Sequence, residues 1–596
     1  MAEKLPIVYV RGFAGDTSGI NRAVADPFYG FNEGSTHVRV GGDGEPVFYQ
    51  FESPLLRLLL DEQYEILVDG GQLAFLESHD KVAANSIWIH RFYDVSASTW
   101  GQKPQDYRLE RAAEDLLRLI ETLQTKTGAP RVHLVAHSMG GLICRSLLQK
   151  IIPDQRPGRT ATDYVDKFFT YATPHGGIVF DVGFGLLERL RDAFGVQGAD
   201  IFGPRRMYQY LTPVADLKPD GPPDGWKAEE LPDGSFPKER IFCLIGTNPE
   251  NYDVAMGLSA AAVGAKSDGL VQIEKAYVPG AQHAFIHRSH SGPYGVVNSE
   301  EGYQNLRRFL FGDLQVQADL VGHRQPPNSA RDDLIWQAEV RLSIRGVSIV
   351  MHEQTADHWC PIQLSIPSTE DTPDTPQPLV TTFLSRKLAP GSDVPIRYAL
   401  HLKILSLEER HGIFHFGHHL ERVADLDDIL IVDVGQRDGR LMAWAAWNSQ
   451  IAGANRDFKF TGDPLPTRPQ SQGDGRHWCR YRRPPSRFSE ATPESNSPLR
   501  HDNSHRTSEQ RPSASVTCGG VGSPLGSPAV GSSRRPGRAP PLASRAGRCH
   551  GCAAWGGCRC GGAGIQHGGS QLCCGPVRSS ASTAANRPAA TRRRLD

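Results

Sequence analysis

Apolar residues along this chain follow two rhythms, and a long final stretch follows neither. Over residues 1–313, short apolar runs stand without alternation: Ile7–Val10, Trp88–Phe92, Val132–Ala136, Phe168–Ala172 and Ile241–Ile245. Runs of this kind suit strands covered on both faces. Between them the spacing turns helical. In Leu109–Leu123 the positions Leu109, Ala113, Leu116, Ile120 and Leu123 return every three or four residues, and Leu142, Ile143, Leu147 and Leu148 do the same after Ser138. Residues 301–311 read as a closing amphipathic helix. Strands alternating with helices predict an α/β fold with a mainly parallel sheet and crossover helices.

From about 314 to 466 the period falls to two. Trp336, Ala338, Val340, Leu342 and Ile344 share one side of Leu334–Ile344, and Tyr398, Leu400, Leu402 and Ile404 repeat the pattern in Ile396–Ile404. Asp428–Val434 and Leu441–Trp447 are further strand candidates. One wet and one buried face predict an all-β, sandwich-like domain. From 467 to 596 the chain is dense in Pro, Gly, Ser, Ala and Arg, with twenty Arg and no Lys after Lys459. Such a stretch buries too little apolar surface to offset chain entropy, so a low-complexity, disordered tail is expected. Its composition is also what out-of-frame reading of a GC-rich gene would produce.

Charge and cysteine content narrow the class. Lys and Arg number 65 against 66 Asp and Glu, which argues against a whole-protein grip on nucleic acid or anionic membrane. No run approaches the ~20 continuous apolar residues of a membrane-spanning helix, leaving at most transient contact with a lipid surface. Met1-Ala-Glu-Lys-Leu-Pro runs straight into Ile7 without the layout of a secretory signal. The expectation is a cytoplasmic protein, with signal-independent export left open. Cys144, Cys243 and Cys360 sit in apolar stretches and read as small buried side chains. His411, His415, His418 and His419 crowd one segment, but alternation on a wet strand explains them more simply than a metal. Cys549-His-Gly-Cys552 and Cys558-Arg-Cys560 lack a second well-spaced pair for zinc. No metal or cofactor is expected.

The sharpest chemical signal is Val132-His-Leu-Val-Ala-His-Ser138-Met-Gly-Gly141. A buried strand runs into Ala136-His137-Ser138-Met139-Gly140 and a helical pattern follows, the context expected of a nucleophile elbow. Small residues two before and two after let the backbone close on itself, and the serine hydroxyl then projects above the sheet edge.

Residues of about 5–313 resemble the lipase branch of the α/β-hydrolase superfamily, the lipase/esterase-like serine hydrolases. The resemblance rests on the elbow, on Arg11-Gly-Phe-Ala-Gly15, Thr173-Pro-His-Gly-Gly177 and Ser267-Asp-Gly-Leu-Val271, and on a late histidine. It implies an acyl-transfer site. The Met139 N–H is one oxyanion donor and, by analogy, the Phe13 N–H is the other; Arg11 stands where related lipases usually carry histidine. In this fold the order is serine, acid, histidine, which points to Asp268 as the acid, with Asp253 as runner-up. Of His283, His287 and His290, the last is preferred as the base, inside Arg288-Ser-His-Ser-Gly-Pro before the closing helix; His287 is the alternative base. His137 and His175 fall outside the order rule.

Residues 178–234 are long for a crossover and suit a cap over the site, with Gly183–Phe194 as an amphipathic helix; Asp16–Gly44 is a second candidate wall. The reading is a serine hydrolase cleaving carboxylic esters, of lipid-like acyl type, through an acyl-enzyme. Two alternatives stay open: an acyltransferase using the same triad, and a non-catalytic binding protein on a hydrolase scaffold. Substrate chain length and oligomeric state have no signature in the sequence.

Overall fold

The structure, a computed structural model, describes residues 4–12, 31, 35–40, 45–51, 53–66, 72–90, 108–178, 201–250, 265–292, 294–321, 334–364, 376–389, 391, 394–410, 419–437, 440–451, 464, 476–481 and 513–520. The first nine strands are β1 (Ile7–Val10), β2 (Ser35–Val40), β3 (Pro46–Phe51), β4 (Glu65–Ile66), β5 (Ser86–Ile89), β6 (Val132–His137), β7 (Val165–Tyr171), β8 (Ile241–Gly246) and β9 (Gln282–Ile286). Seven of them form one sheet in the order β4-β5-β1-β6-β7-β8-β9, every pairing parallel. β2 and β3 pair separately as an antiparallel hairpin.

The unalternating apolar runs have a direct cause. Val8, Val10, Leu134, Ala136, Phe168, Cys243 and Ile245 point into one core, which the helices Leu109–Thr127 and Met139–Ser146 cover. Their neighbours Ile7, Tyr9, Val135, Phe169, Tyr171, Phe242 and Leu244 point into a second core under the helices Pro54–Glu62 and Glu300–Phe311. A strand wet on neither face has no polar half to display. The Leu109–Thr127 helix stops at Gly128, whose left-handed φ of 71° turns the chain at little cost, its N–H bonding back to Gln124 O. Past Met139–Ser146 the helix widens into a π turn over Leu147–Ile151 and resumes at Ile152–Gln155. Pro153 explains the widening: it has no N–H to give, and in a regular helix its ring would strike the carbonyl of Gln149.

Ten more strands follow among the described residues, the first eight from the period-two region: β10 (Leu314–Val321), β11 (Leu334–Ile344), β12 (Val350–Gln354), β13 (Ile362–Leu364), β14 (Gln377–Leu384), β15 (Ile396–Arg410), β16 (His419–Arg437), β17 (Arg440–Trp447), β18 (Arg476–Tyr481) and β19 (Ser513–Gly520). One antiparallel sheet runs β14-β10-β19-β18. The other runs β12-β11-β15-β16-β17, with β13 also paired to β11. Val316 and Leu320 of the first sheet share one buried cluster with Trp336, Val340, Leu342, Tyr398 and Leu400 of the second, the packing of a sandwich. β18 and β19 come from the stretch expected to lack regular structure. In β19 only Ala514, Val516 and Cys518 alternate with Ser513, Ser515 and Thr517, a signal too short to stand out from its surroundings.

The β-region is not insulated from the parallel sheet. Phe383 of β14 belongs to the core under the closing helix, and Cys360 belongs to the other one. The Asn305 side-chain amide donates to Met351 O at 2.9 Å, and Phe285 meets His352 edge-on at 5.7 Å between centroids. Charge reinforces the seam: Glu62, 5% exposed, accepts from Arg307 at 2.7 Å and from Lys387 at 3.1 Å. Among the described residues, no helix is long and apolar enough to cross a membrane.

Candidate active site

Ser138 stands at the end of β6 with φ 54° and ψ −128°, a conformation that side chains rarely adopt. Three glycines make room for the turn. A Cβ on Gly140 would lie 2.2 Å from Val10 O, and one on Gly12 would lie 2.6 Å from Ser138 Cβ. A Cβ on Gly141 would lie 2.1 Å from Thr173 Oγ1. Ala136, fully buried, fills the first small position of the elbow. The chain therefore reverses into the helix Met139–Ser146 directly behind the serine. The Met139 N–H, at the first helical position, has no intrahelical carbonyl to bind and faces the positive end of the helix dipole.

A continuous relay reaches the serine from residues 130 and more positions away. His290 Nε2 lies 2.9 Å from Ser138 Oγ, and His290 Nδ1 lies 2.9 Å from Asp268 Oδ2. The other carboxylate oxygen, Oδ1, accepts the amides of Leu270 at 3.0 Å and Val271 at 2.8 Å. The His290 N–H in turn donates to Asp268 O at 2.9 Å. Ser138, Asp268 and His290 are 3%, 1% and 2% exposed, so the hydrogen bonds run in a medium where they are stronger than in water. A Cβ on Gly246, the last residue of β8, would lie 2.9 Å from Asp268 Cβ, so only glycine lets the acid settle over the strand end.

The remaining sequence candidates separate from this group. The His287 ring stacks on His358 at 3.7 Å and its Nδ1 meets Thr247 Oγ1 at 3.3 Å. His283 donates from Nδ1 to Ala281 O at 3.1 Å. His175 is buried between Thr170 Oγ1 at 3.2 Å and Cys243 Sγ at 3.6 Å; burial holds its ring neutral. Phe13, Asp253, the Gly183–Phe194 segment and His411, His415 and His418 lie outside the described residues.

Two further residues support the site: His137, which the order rule set aside as a base, and Arg145, which had no reading in the sequence. His137 donates from Nε2 to His290 O at 2.9 Å and so ties the elbow to the histidine loop. Burial, and the neighbouring imidazole of His290, push His137 down to about 3 and keep it neutral. Arg145, fully buried, donates to the carbonyls of His175, Ala228 and Glu230 and to Gln149 Oε1. It fastens the returning limb of the 178–234 insertion to the elbow helix. A helical arginine among apolar residues carries no sign of this in sequence, because its partners are main-chain carbonyls. Among the described residues, no group of three or more His, Cys, Asp or Glu side chains is arranged to hold a metal ion.

A family model of the α/β hydrolase fold matches residues 89–175, the span from β5 through the elbow to His175. The lin2722 gene product of Listeria innocua is 14% identical, with 52% of this chain and 94% of that chain covered and a TM-score of 0.22. The carboxylesterase CesB (YbfK) of Bacillus subtilis is 13% identical, with 52% and 83% covered and a TM-score of 0.17. No curated protein matches the sequence. The parallel seven-stranded sheet and the strand–elbow–helix unit have the layout of the α/β hydrolase fold, and the family match across that unit supports a function of the hydrolase type.

Proposed function

We propose that the protein is a carboxylic ester hydrolase in which Ser138 is the nucleophile, His290 the general base and acid, and Asp268 the orienting carboxylate. The observation that carries this reading is the unbroken pair of 2.9 Å hydrogen bonds, Ser138 Oγ to His290 Nε2 and His290 Nδ1 to Asp268 Oδ2. Asp268 fixes the tautomer: an ionised carboxylate accepts only, so Nδ1 carries the proton and Nε2 presents its lone pair to the serine. As Oγ attacks the acyl carbon, Nε2 takes the hydroxyl proton. The imidazolium that forms is stabilised across the Nδ1–Oδ2 bond. Collapse of the tetrahedral species expels the alcohol with the proton from Nε2, and a water molecule repeats the sequence to free the acid.

Negative charge on the carbonyl oxygen needs donors in place before the reaction starts. The Met139 amide is one. The Phe13 amide, the next in sequence after Gly12, is the second by analogy with related lipases. The acyl part is assigned a lipid-like character on that same resemblance. The test is a series of p-nitrophenyl esters of increasing acyl length, run beside a fluorophosphonate probe. Activity that disappears with Ser138→Ala, together with probe labelling of Ser138, supports the reading. Unlabelled Ser138 in folded protein contradicts it.

A further inference from the structure

Every polar atom of His290 has a partner. Its N–H donates to Asp268 O at 2.9 Å, and Nδ1 meets Asp268 Oδ2 at 2.9 Å. Nε2 meets Ser138 Oγ at 2.9 Å. The carbonyl oxygen accepts from His137 Nε2, again at 2.9 Å. The acid loop therefore holds one half of the residue and the elbow holds the other. His137 and Ser138 are consecutive, so the end of β6 grips His290 twice, once through its ring and once through its main chain.

The loop that carries His290 has other anchors. Arg288 pairs with Glu301 of the closing helix through two hydrogen bonds, at 3.2 and 3.0 Å, with both side chains buried or nearly so. The Asn248 amide donates to Arg288 O at 3.2 Å, the Ser289 amide to Tyr294 O at 3.1 Å and the Val296 amide to Ser289 O at 2.9 Å. These bonds fix the shape of the loop and its place over the sheet. The His137 bond adds a constraint of another kind, between the main chain of His290 and the backbone next to the nucleophile. With the ring already oriented by Asp268, that distance decides where Nε2 lies relative to Ser138 Oγ. Proton transfer needs the two within hydrogen-bond reach, and a misplacement of about 1 Å can cost about 100-fold in rate.

Histidine suits position 137 on two further counts. A neutral ring that donates from Nε2 leaves Nδ1 as a lone pair. A Cβ on Gly12 would lie 3.3 Å from that Nδ1, so the ring fills the space between Gly12 and the His290 loop. The ring is also uncharged: burial, and then the neighbouring imidazole, push His137 down to about 3. The two ring centroids are 5.0 Å apart. A cation at that distance would oppose the imidazolium that forms on His290.

We propose that His137 is a positioning residue: by holding the His290 carbonyl it sets the His290 imidazole at proton-transfer distance from Ser138. The proposal rests on the reading of Ser138 and His290 as nucleophile and base. Full-length His137→Phe, His137→Asn and His137→Gln proteins separate shape from hydrogen bonding. Phenylalanine fills the space and donates nothing. Asparagine donates from a shorter arm, and glutamine brings its amide nitrogen close to the place of Nε2. With p-nitrophenyl butyrate, the Phe and Asn variants lower kcat about 10–100-fold and leave KM within a few fold. Fluorophosphonate labelling of Ser138 slows by the same factor. His137→Gln returns kcat to within a few fold of the parent protein.

A second readout needs no turnover. The Nδ1 proton that His290 shares with Asp268 gives a far-downfield NMR signal, identified by its loss in His290→Ala. It shifts and broadens in His137→Phe and His137→Asn and is restored in His137→Gln, which a purely structural role for His137 would not produce. Phe and Asn variants as active as the parent, or a Gln variant as impaired as the other two, overturn the proposal. If phenylalanine prevents folding, asparagine against glutamine decides. An NMR signal that follows this order in a protein without esterase activity counts against the acyl-transfer reading and leaves the positioning role standing. Turnover lost in His290→Ala but unchanged in the Phe and Asn variants does the reverse.

Discussion

The parallel sheet and the β-region bury side chains by opposite rules, and the chemistry follows the difference. Strands β6 and β8 are buried on both faces and largely apolar, and Ser138 and Asp268 sit over their carboxyl ends. In the β-region, strand β11 alternates: Trp336, Ala338, Val340, Leu342 and Ile344 are buried while the residues between them are partly or fully exposed. Its two sheets hold one another through a common core, and its approach to the parallel sheet is through loops and edges. A sheet covered on both sides concentrates function at its ends; a sandwich spends its faces on packing. Perturbing the two regions should therefore give different phenotypes.

The largest expected effect is in the parallel-sheet region. Ser138→Ala lowers kcat by about 10⁴-fold or more while thermal stability stays within about 1 kcal/mol, measured by ester turnover and melting. Trp336→Ala should do the opposite, removing about 3–5 kcal/mol of stability with kcat of the surviving folded protein nearly unchanged. Substitution at the two late histidines sharpens the same contrast inside the first region. His290→Ala should cost about 10³–10⁴-fold in kcat, whereas His287→Ala, stacked on His358, should cost less than about tenfold. If the two variants are equally impaired, the assignment of the base is wrong.

Next in size is the seam. A chain ended after Gly312 leaves the places of Phe383 and Cys360 in the two cores unfilled and strips the cover from β9. Each fully buried side chain of this kind is worth roughly 1.5–3 kcal/mol, so the shortened chain should melt several degrees lower or aggregate. An equally stable fragment would make the β-region a separable module.

The pH response follows in order. His90, pushed down to about 4, and His133 and His352, each pushed down to about 3, are held neutral chiefly by burial. The unfolded chain takes up these protons first, near a pKa of ~6.5. Stability from this source is therefore complete above about pH 6.5 and falls as the pH drops toward 4 and then 3. At pH 5 each histidine costs up to ~2 kcal/mol, which denaturant midpoints from pH 7.5 to 5 would register. The smallest change is Gly128→Ala, about 1 kcal/mol, because alanine must adopt the left-handed φ of that helix end.

Much of the fold is written locally in the sequence and so could be read there. The apolar runs at Ile7, Val132 and Ile241 became strands of the parallel sheet, and Leu109–Leu123 became a helix that runs on to Thr127. The two-residue strand β4 carries no period at all, and β12 and β13 are short pieces defined by their partners more than by their own patterns. At the site, strand–elbow–helix order is a local property, and chain order narrows the acid and the base. What escaped is long-range. His358 reaches His287 from 71 positions away, Gly12 meets Ser138 across the sheet end, and Arg145 binds carbonyls of a returning loop. Such contacts depend on where backbones pass, which a single sequence does not encode in residue type or spacing.

The central claim is that one serine oxygen becomes covalently acylated because His290, oriented by Asp268, takes up its proton. Rapid-quench peptide mass spectrometry after mixing with p-nitrophenyl butyrate tests it most directly. The account predicts a butyryl adduct on the peptide bearing Ser138, forming within the first turnover and falling at least a thousandfold in rate in His290→Ala. An adduct on any other residue, or hydrolysis at full speed with no adduct on Ser138, would contradict it.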